Sequence, residues 1–546
     1  MGIRWGWRPG AGALVVGVLV ACTGGASDDD GAAGECSVTA VSIAASGTAI
    51  ASGQAATLTA TVADNGSCGG GVTWSVSPEG ASLVPDGLAA SLTSNVPGTY
   101  TVVATSDDDE SVSGSIDVTV TEESGGCAPA SGPVVTHSAD ILADETWAGG
   151  TIHSVPGSIQ IRQGTLTIEA CAIVSLGAGA SITVRGSAGA PARLVAAGAA
   201  SRVVSFVRAD EAEPWGVLRG YNVDSTIELH HAELRGGGQF GGSYRNPSIT
   251  MAGAEYGDLP VALLEVDHVT IDGSVGVGVF LDTNAAFTAG STDLTVENAG
   301  DYALAMTMMA LGTIPTGTYT GNAVDEVLVH SQYNVFADLT IAKRLPVHIQ
   351  TGSMRVAGIG NDPPPVTLRL DPGVELRFEP LNVDPGARVT FGGNGQPVNS
   401  IGVLIAEGTE DQPIVFTSAA AAPAPGDWEG LWLDTANGSR LDHVIIEYAG
   451  GENGIQSASC RPETVDDAAA LIVGDFDDQY IPPADLITSS TIRFSAGSAI
   501  NAIWLSTALG PDLTGNGNTL SDFAECAQTY NAVDGGCPSL GCFGGG

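Results

Sequence analysis

"PGDWEGLWLDTANGSRLDHVIIEYAGG", Pro425 to Gly451, crowds three aspartates, a histidine, two glutamates and two tryptophans into mostly apolar chain. About 200 residues earlier, "EPWGVLRGYNVDSTIELHHAELRGGG", Glu213 to Gly238, repeats the order of these features. Trp215 with Gly216 answers to Trp428 with Gly430, Ser225 to Ser439, and His231 to His443. The likeness reaches upstream, where Leu166 of "LTIEACAIVSLGAGASITVRG" answers to Leu368 of "LRLDPGVELRFEPLNVDPGARVTFGG", and Phe206 to Phe416. A large unit is therefore used twice. A third echo, "VDHVTIDG" (Val266 to Gly273), repeats the strand around His443 inside the first unit. Each coil of such a repeat cannot bury its own apolar face, so coils must stack.

Composition agrees with short strands. The 546 residues include 75 glycines and only 5% aromatics, and Gly or Pro interrupts almost every helix-length window. Runs such as "GSIQI", "SITVRG" and "VVSFVRA" follow one another from about Val134 onward with no amphipathic helix between them. At about 25 residues per coil, some 16 coils would stack at about 4.8 Å each into a rod on the order of 75 Å long. Charge narrows the partners. Sixty-one acidic residues face 19 basic ones, of which Lys343 is the one lysine, and a net charge of −42 repels nucleic acid and anionic lipid headgroups. The acids are scattered, which favours solubility over a dedicated calcium-binding or acidic-patch role.

The residues "LRLDPGVELRF", "LIAEGTEDQPIVFTS", "PGDWEGLWLD" and "SRLDHVIIEYAGG" resemble the right-handed parallel β-helix repeats of secreted bacterial surface proteins. The likeness covers some 400 residues, and the first unit is a diverged copy with "EACA" in place of the "DPG" turn. Ahead of it, "AATLTATVAD", "GVTWSVSP", "LAASLTS" and "GTYTVVATS" are alternating runs at about ten-residue spacing, as a two-sheet sandwich needs. Trp74 would anchor its core and Tyr100 would pack or bond at a strand corner. "VTWSVSP" and "PGTYTVVATSDDD" resemble a group 2 bacterial immunoglobulin-like domain, which implies a spacer or adhesive module. "SDDDES", Ser106 to Ser111, reads as a solvated hairpin tip.

At the N-terminus, Arg4 and Arg8 precede the apolar run "AGALVVGVLVA", too short for a permanent bilayer span and suited to an export signal. "LVAC", Leu19 to Cys22, resembles a bacterial lipobox, which implies lipidation of Cys22 and an outer-membrane lipoprotein, facing the periplasm or exposed at the surface. The remaining eight cysteines suit disulfides in an exported chain. Cys36 with Cys68 and Cys127 with Cys171 are the expected pairs, and Cys460, Cys526, Cys537 and Cys542 are expected to pair among themselves. The fold expected is all-β, an immunoglobulin-like sandwich followed by a long right-handed parallel β-helix. Its order is a signal peptide (1–21), an acidic Gly-rich tether (22–37), the sandwich (38–121), a linker (122–133), two β-helix units (134–345 and 346–525) and a Cys-rich tail (526–546).

Candidate chemistry is sparse. Read as one strand, Val444, Ile446 and Tyr448 share a face and His443, Ile445 and Glu447 share the other. His443 and Glu447 then lie about 13 Å apart, too far for a shared metal, although they could meet a ligand on the outer flank. Asp442 and His443 point to opposite sides unless the chain bends between Leu441 and Val444. Trp215 and Trp428 read either as platforms for sugar rings or as packing residues, and their recurrence favours packing. Asp475, Asp477 and Asp478 in "GDFDDQY" are the candidate calcium ligands, and no other cofactor is implied. His230 and His231, being adjacent, point apart and suit one metal poorly. Segments expected of pectin hydrolases are absent apart from scattered Asp-Asp pairs, and so are G-x-S-x-G, P-loop and H-E-x-x-H motifs. The function expected is structural or adhesive, with a glycan or protein bound along a solenoid flank and no nucleic acid. The alternative is a polysaccharide-active lyase or hydrolase.

Overall fold

The computed structural model describes residues 36–52, 54–78, 80–94, 96–121, 126–128, 130, 133–187, 189–222, 224–240, 245–253, 262–331, 334–350, 354–358, 364–380, 388–391, 401–433, 438–451, 468–474, 481–503, 510–530 and 542–543. Within these the chain is all-β, and its one helical segment is the short 3-10 turn Met308–Thr313. The chain divides into two compact units, the first reaching to Thr121.

The first unit is a sandwich of two four-stranded sheets. Val38–Ala45, Ala55–Asp64, Ala89–Thr93 and Ser82–Asp86 form one, while Ala49–Ala51, Ser113–Thr121, Gly98–Ser106 and Val72–Ser77 form the other. Alternation along "AATLTATVAD" sends Ala56, Leu58 and Ala60 inward, where they meet Trp74, Val102 and Val118 of the second sheet. The Tyr100 hydroxyl donates back to the carbonyl of Val96 at 2.9 Å, and Trp74 Nε1 donates to Gly87 O at 3.0 Å. At the hairpin tip, Asp108 accepts a bond from the Gly70 amide and Asp109 from Ser111. A disulfide joins Cys36 to Cys68.

The second unit is a parallel β-solenoid. Its longest sheet has 13 strands, from Ile159–Ile161 to Thr519–Phe523, all paired parallel. One inward position recurs through it without a break: Ile159, Ile182, Leu218, Ile249, Val279, Leu304, Val327, Val347, Leu376, Phe416, Ile446, Ile492 and Leu520 stand in register. All but Leu520 are buried, each contributing about 1.5–3 kcal/mol to the stack. The coils are longer on average than expected, about 30 residues over the 12 steps from Ile159 to Leu520, and uneven. Successive members of this column are 20 residues apart at Val327 to Val347 and 46 at Ile446 to Ile492. Insertions at the corners absorb the difference, so 13 rungs span roughly 60 Å rather than 75 Å.

The two copies are out of phase. In the first, the strand that follows His231 lies in Ser225–Arg235, within the 12-stranded sheet, and Leu218–Tyr221 belongs to the 13-stranded one. In the second, the counterpart Val444–Glu447 has moved onto the 13-stranded sheet, and Gly430–Leu433 lies on a separate five-stranded sheet. The second copy is thus turned by one face of the coil. The stack also continues past residue 525, since Gln528 bridges Ile500 in parallel, and Cys526 is bonded to Cys542. Near the other end Cys127 is bonded to Cys171.

Candidate functional site

The coils turn at left-handed residues set five apart. His231 with Gly236, His268 with Gly273, Asp293 with Asn298, His443 with Tyr448, Ser489 with Phe494, and Gly517 with Asp522 all have positive φ. Four extended residues between two such corners form one short strand. His443 is therefore a bend between strands Arg440–Asp442 and Val444–Glu447. The bend brings its Nδ1 to 3.1 Å from Asp442 Oδ2, where a straight strand would hold the two apart. Val444 and Ile446 point inward and Glu447 outward, as alternation predicts. Tyr448 differs. It sits on the next corner, half-buried, and stacks on Phe494 of the following coil with centroids 5.1 Å apart.

Both sequence-marked tryptophans are fully buried, so neither offers a face to a sugar. Trp428 stacks on Phe378 and donates to Glu447 O at 2.9 Å, and Trp215 donates to Arg235 O at 2.8 Å. Arg235 and Glu447 each lie four residues beyond the corner histidine, so both copies repeat the same buried bond.

The outward slot of the 13-stranded sheet carries the chemistry. His348, Arg377 and Thr417 stand in register, and Glu447 pairs with Arg493 in the same slot. Thr417 Oγ1 donates to Glu447 Oε1 at 2.9 Å, and Arg493 Nε to Glu447 Oε2 at 2.7 Å, so Glu447 ties three coils together. Further along, His348 Nδ1 is 3.1 Å from Glu326 and 2.9 Å from the Tyr302 hydroxyl, and Nε2 is 2.6 Å from Glu379. Arg377 bonds both Glu326 and Glu375. Burial opposes charge on His348, but the hydrogen bonds and charges of Glu326 and Glu379 outweigh it and raise its pKa. Burial would likewise raise Glu326, and His348 with Arg377 overturns that and lowers it. Burial, reinforced by the Glu326 charge, pushes Tyr302 up to about 12. The arrangement favours the imidazolium form of His348, held between two carboxylates beside a phenol that resists ionisation.

On the first copy's second corner, Gly236 and Gly273 stand where the second copy has Tyr448 and Phe494. An open hollow of ≈ 540 Å³ lies there, lined by Arg208, Glu211, Arg235 and Asp272. On the first corner, His231 and His268 of successive coils stack at 4.6 Å, with Asp267 Oδ1 2.7 Å from His268 Nδ1. Cys22, Cys460, Cys537, Asp475, Asp477 and Asp478 lie outside the described residues. No protein-family model, curated protein or solved structure matches the chain.

Sequence reasoning missed Tyr302, Glu326, His348 and Glu379. The signal for His348 was the outward slot shared by "VHI", "LRF", "FTS", "IEY" and "IRF", which unequal coil lengths conceal, whereas Tyr302, Glu326 and Glu379 lie at neighbouring positions that no slot marks. Chemically, this row offers an elongated polar ligand alternating donors and acceptors at the pitch of the coils.

Proposed function

We propose that the protein is a lipid-anchored envelope protein, held in the outer membrane through Cys22, that presents a right-handed β-helix as a structural or adhesive rod. Its immunoglobulin-like sandwich serves as the spacer, and a glycan or protein binds along the solenoid flank. The observation that carries this reading is the row His348, Arg377, Thr417, Glu447 and Arg493, whose charges are paired from coil to coil. Such a surface is rigid before a ligand arrives, which reduces the ordering cost of binding. The sandwich supports the spacer reading, because a Tyr hydroxyl bonding back to the backbone, as Tyr100 does to Val96, is a hallmark of immunoglobulin-like domains. Among the described residues no helix is long and apolar enough to cross a membrane.

A second reading, a polysaccharide-active enzyme, is favoured by the meeting of Tyr302, His348, Glu326 and Glu379, since a phenol, an imidazole and paired acids are the groups that move protons at glycosidic bonds. One experiment separates the two. The chain carrying Cys22→Ser is applied to a glycan array with and without calcium, and every hit is followed by product analysis. Retention without cleavage, weakened by Arg493→Ala, supports adhesion. Cleavage abolished by Tyr302→Phe supports the enzyme, and no retention of any glycan or envelope protein sinks the adhesive reading.

A further inference from the structure

The corner built around His231 lies outside the row proposed to bind a ligand, and its chemistry is of another kind. In the 12-stranded sheet His230 pairs with Asp267 and Ala232 with Val269, and the next coil pairs Asp267 with Thr292 and Val269 with Leu294. The left-handed residues between these pairs, His231, His268 and Asp293, therefore stand above one another in three successive coils. Histidine and aspartate tolerate that backbone better than most side chains, so the corner can hold metal-ligating groups without a glycine. We infer that His231, Asp267 and His268 form a binding site for one divalent transition-metal ion, of which Zn²⁺ is the type, with Asp293 beside it.

The geometry supports this. One ligand atom from each of the three residues lies within 4.8 Å of the other two. A tetrahedral zinc site with bonds near 2.0 Å spaces its ligands about 3.4 Å apart, so binding requires the two stacked imidazoles to turn until their nitrogens converge on the ion. Asp293 Oδ2 lies 3.5 Å from His268 Nε2, within reach as a further ligand. Two imidazoles and a carboxylate select zinc, nickel or copper over calcium, which prefers six or more oxygens. His231 makes a ring contact and no hydrogen bond among the described residues, which leaves its nitrogens available. His230 Nδ1, 3.7 Å from Asp267 Oδ2, helps fix the carboxylate from the other side.

The duplicated chain supplies an internal control. His443 occupies the equivalent corner of the second copy, but the residue in the next coil there is Ser489, so the pair of imidazoles is missing. The test is calorimetric titration of the full chain in detergent, stripped with chelator, with Zn²⁺ and separately with Ca²⁺. His231→Asn and His268→Asn keep a side chain that accepts the corner backbone. Each is expected to weaken Zn²⁺ binding tenfold or more, while His443→Asn leaves it unchanged and Ca²⁺ binds far more weakly. Zn²⁺ affinity within twofold of the unaltered chain in both corner variants overturns the site, as does Ca²⁺ binding as tight as Zn²⁺. Should either variant fail to fold, the unaltered chain loaded with Co²⁺ decides: bands of a histidine-ligated ion are expected, and their absence overturns the proposal.

Discussion

Trp428 fills the interior between Phe378 and the backbone of Glu447, so its removal leaves a cavity that stacked coils cannot close. Trp428→Ala is expected to cost about 3–5 kcal/mol in chemical denaturation. Trp428→Phe, which keeps most of the volume and leaves the Glu447 carbonyl unbonded, should cost about 1–3 kcal/mol. A loss below 0.5 kcal/mol for the alanine variant would contradict the burial of the indole. His348 yields a pH prediction. Its pKa is raised in the folded chain, so the imidazolium between Glu326 and Glu379 contributes fully below the ordinary histidine value near 6.5 and is lost as pH rises through the raised value. Melting temperature should therefore fall as pH rises from about 6.5 through the raised value, and His348→Gln should flatten that part of the profile. An unchanged slope would rule out a charged His348.

Corners decide how strands become coils. Tyr448, at φ 60, holds a conformation that β-branched residues resist, and it also stacks on Phe494. Tyr448→Val should destabilise by about 1–3 kcal/mol, more than Tyr448→Asn, with both read from urea midpoints. Equal losses would show that stacking, not backbone strain, governs the corner. The strands themselves were legible, because alternation in "LRLDPGVELRF" fixes which side chains enter the core. Trp215 and Trp428 likewise recur as packing residues and are buried as such. The corners were not legible. Left-handed positions filled by His, Tyr and Phe look like ordinary strand residues, so alternation alone groups Tyr448 with Val444 and Ile446. The meeting of His231 with His268 was hidden by 37 residues of separation, although the "VDHVTIDG" echo had marked both. A local motif cannot express a contact that exists only when one coil lies on the next.

At the scale of the whole molecule, the lipid anchor is the claim most open to direct test. Fractionation of cells should move the protein from the detergent phase of the membrane fraction to the soluble phase when Cys22 becomes Ser. Continued partition into detergent would remove the anchor from the proposal. The one-face turn between the two copies bears on how such a rod meets its surroundings. Had the units been joined in phase, every repeated corner would lie along one meridian, and the molecule would have a single working side. Because the Val444–Glu447 strand has moved to a different sheet from its counterpart, sister features point along two compass bearings. A flat surface pressed against the rod touches one set at a time, whereas a crowd of neighbours can be met by both.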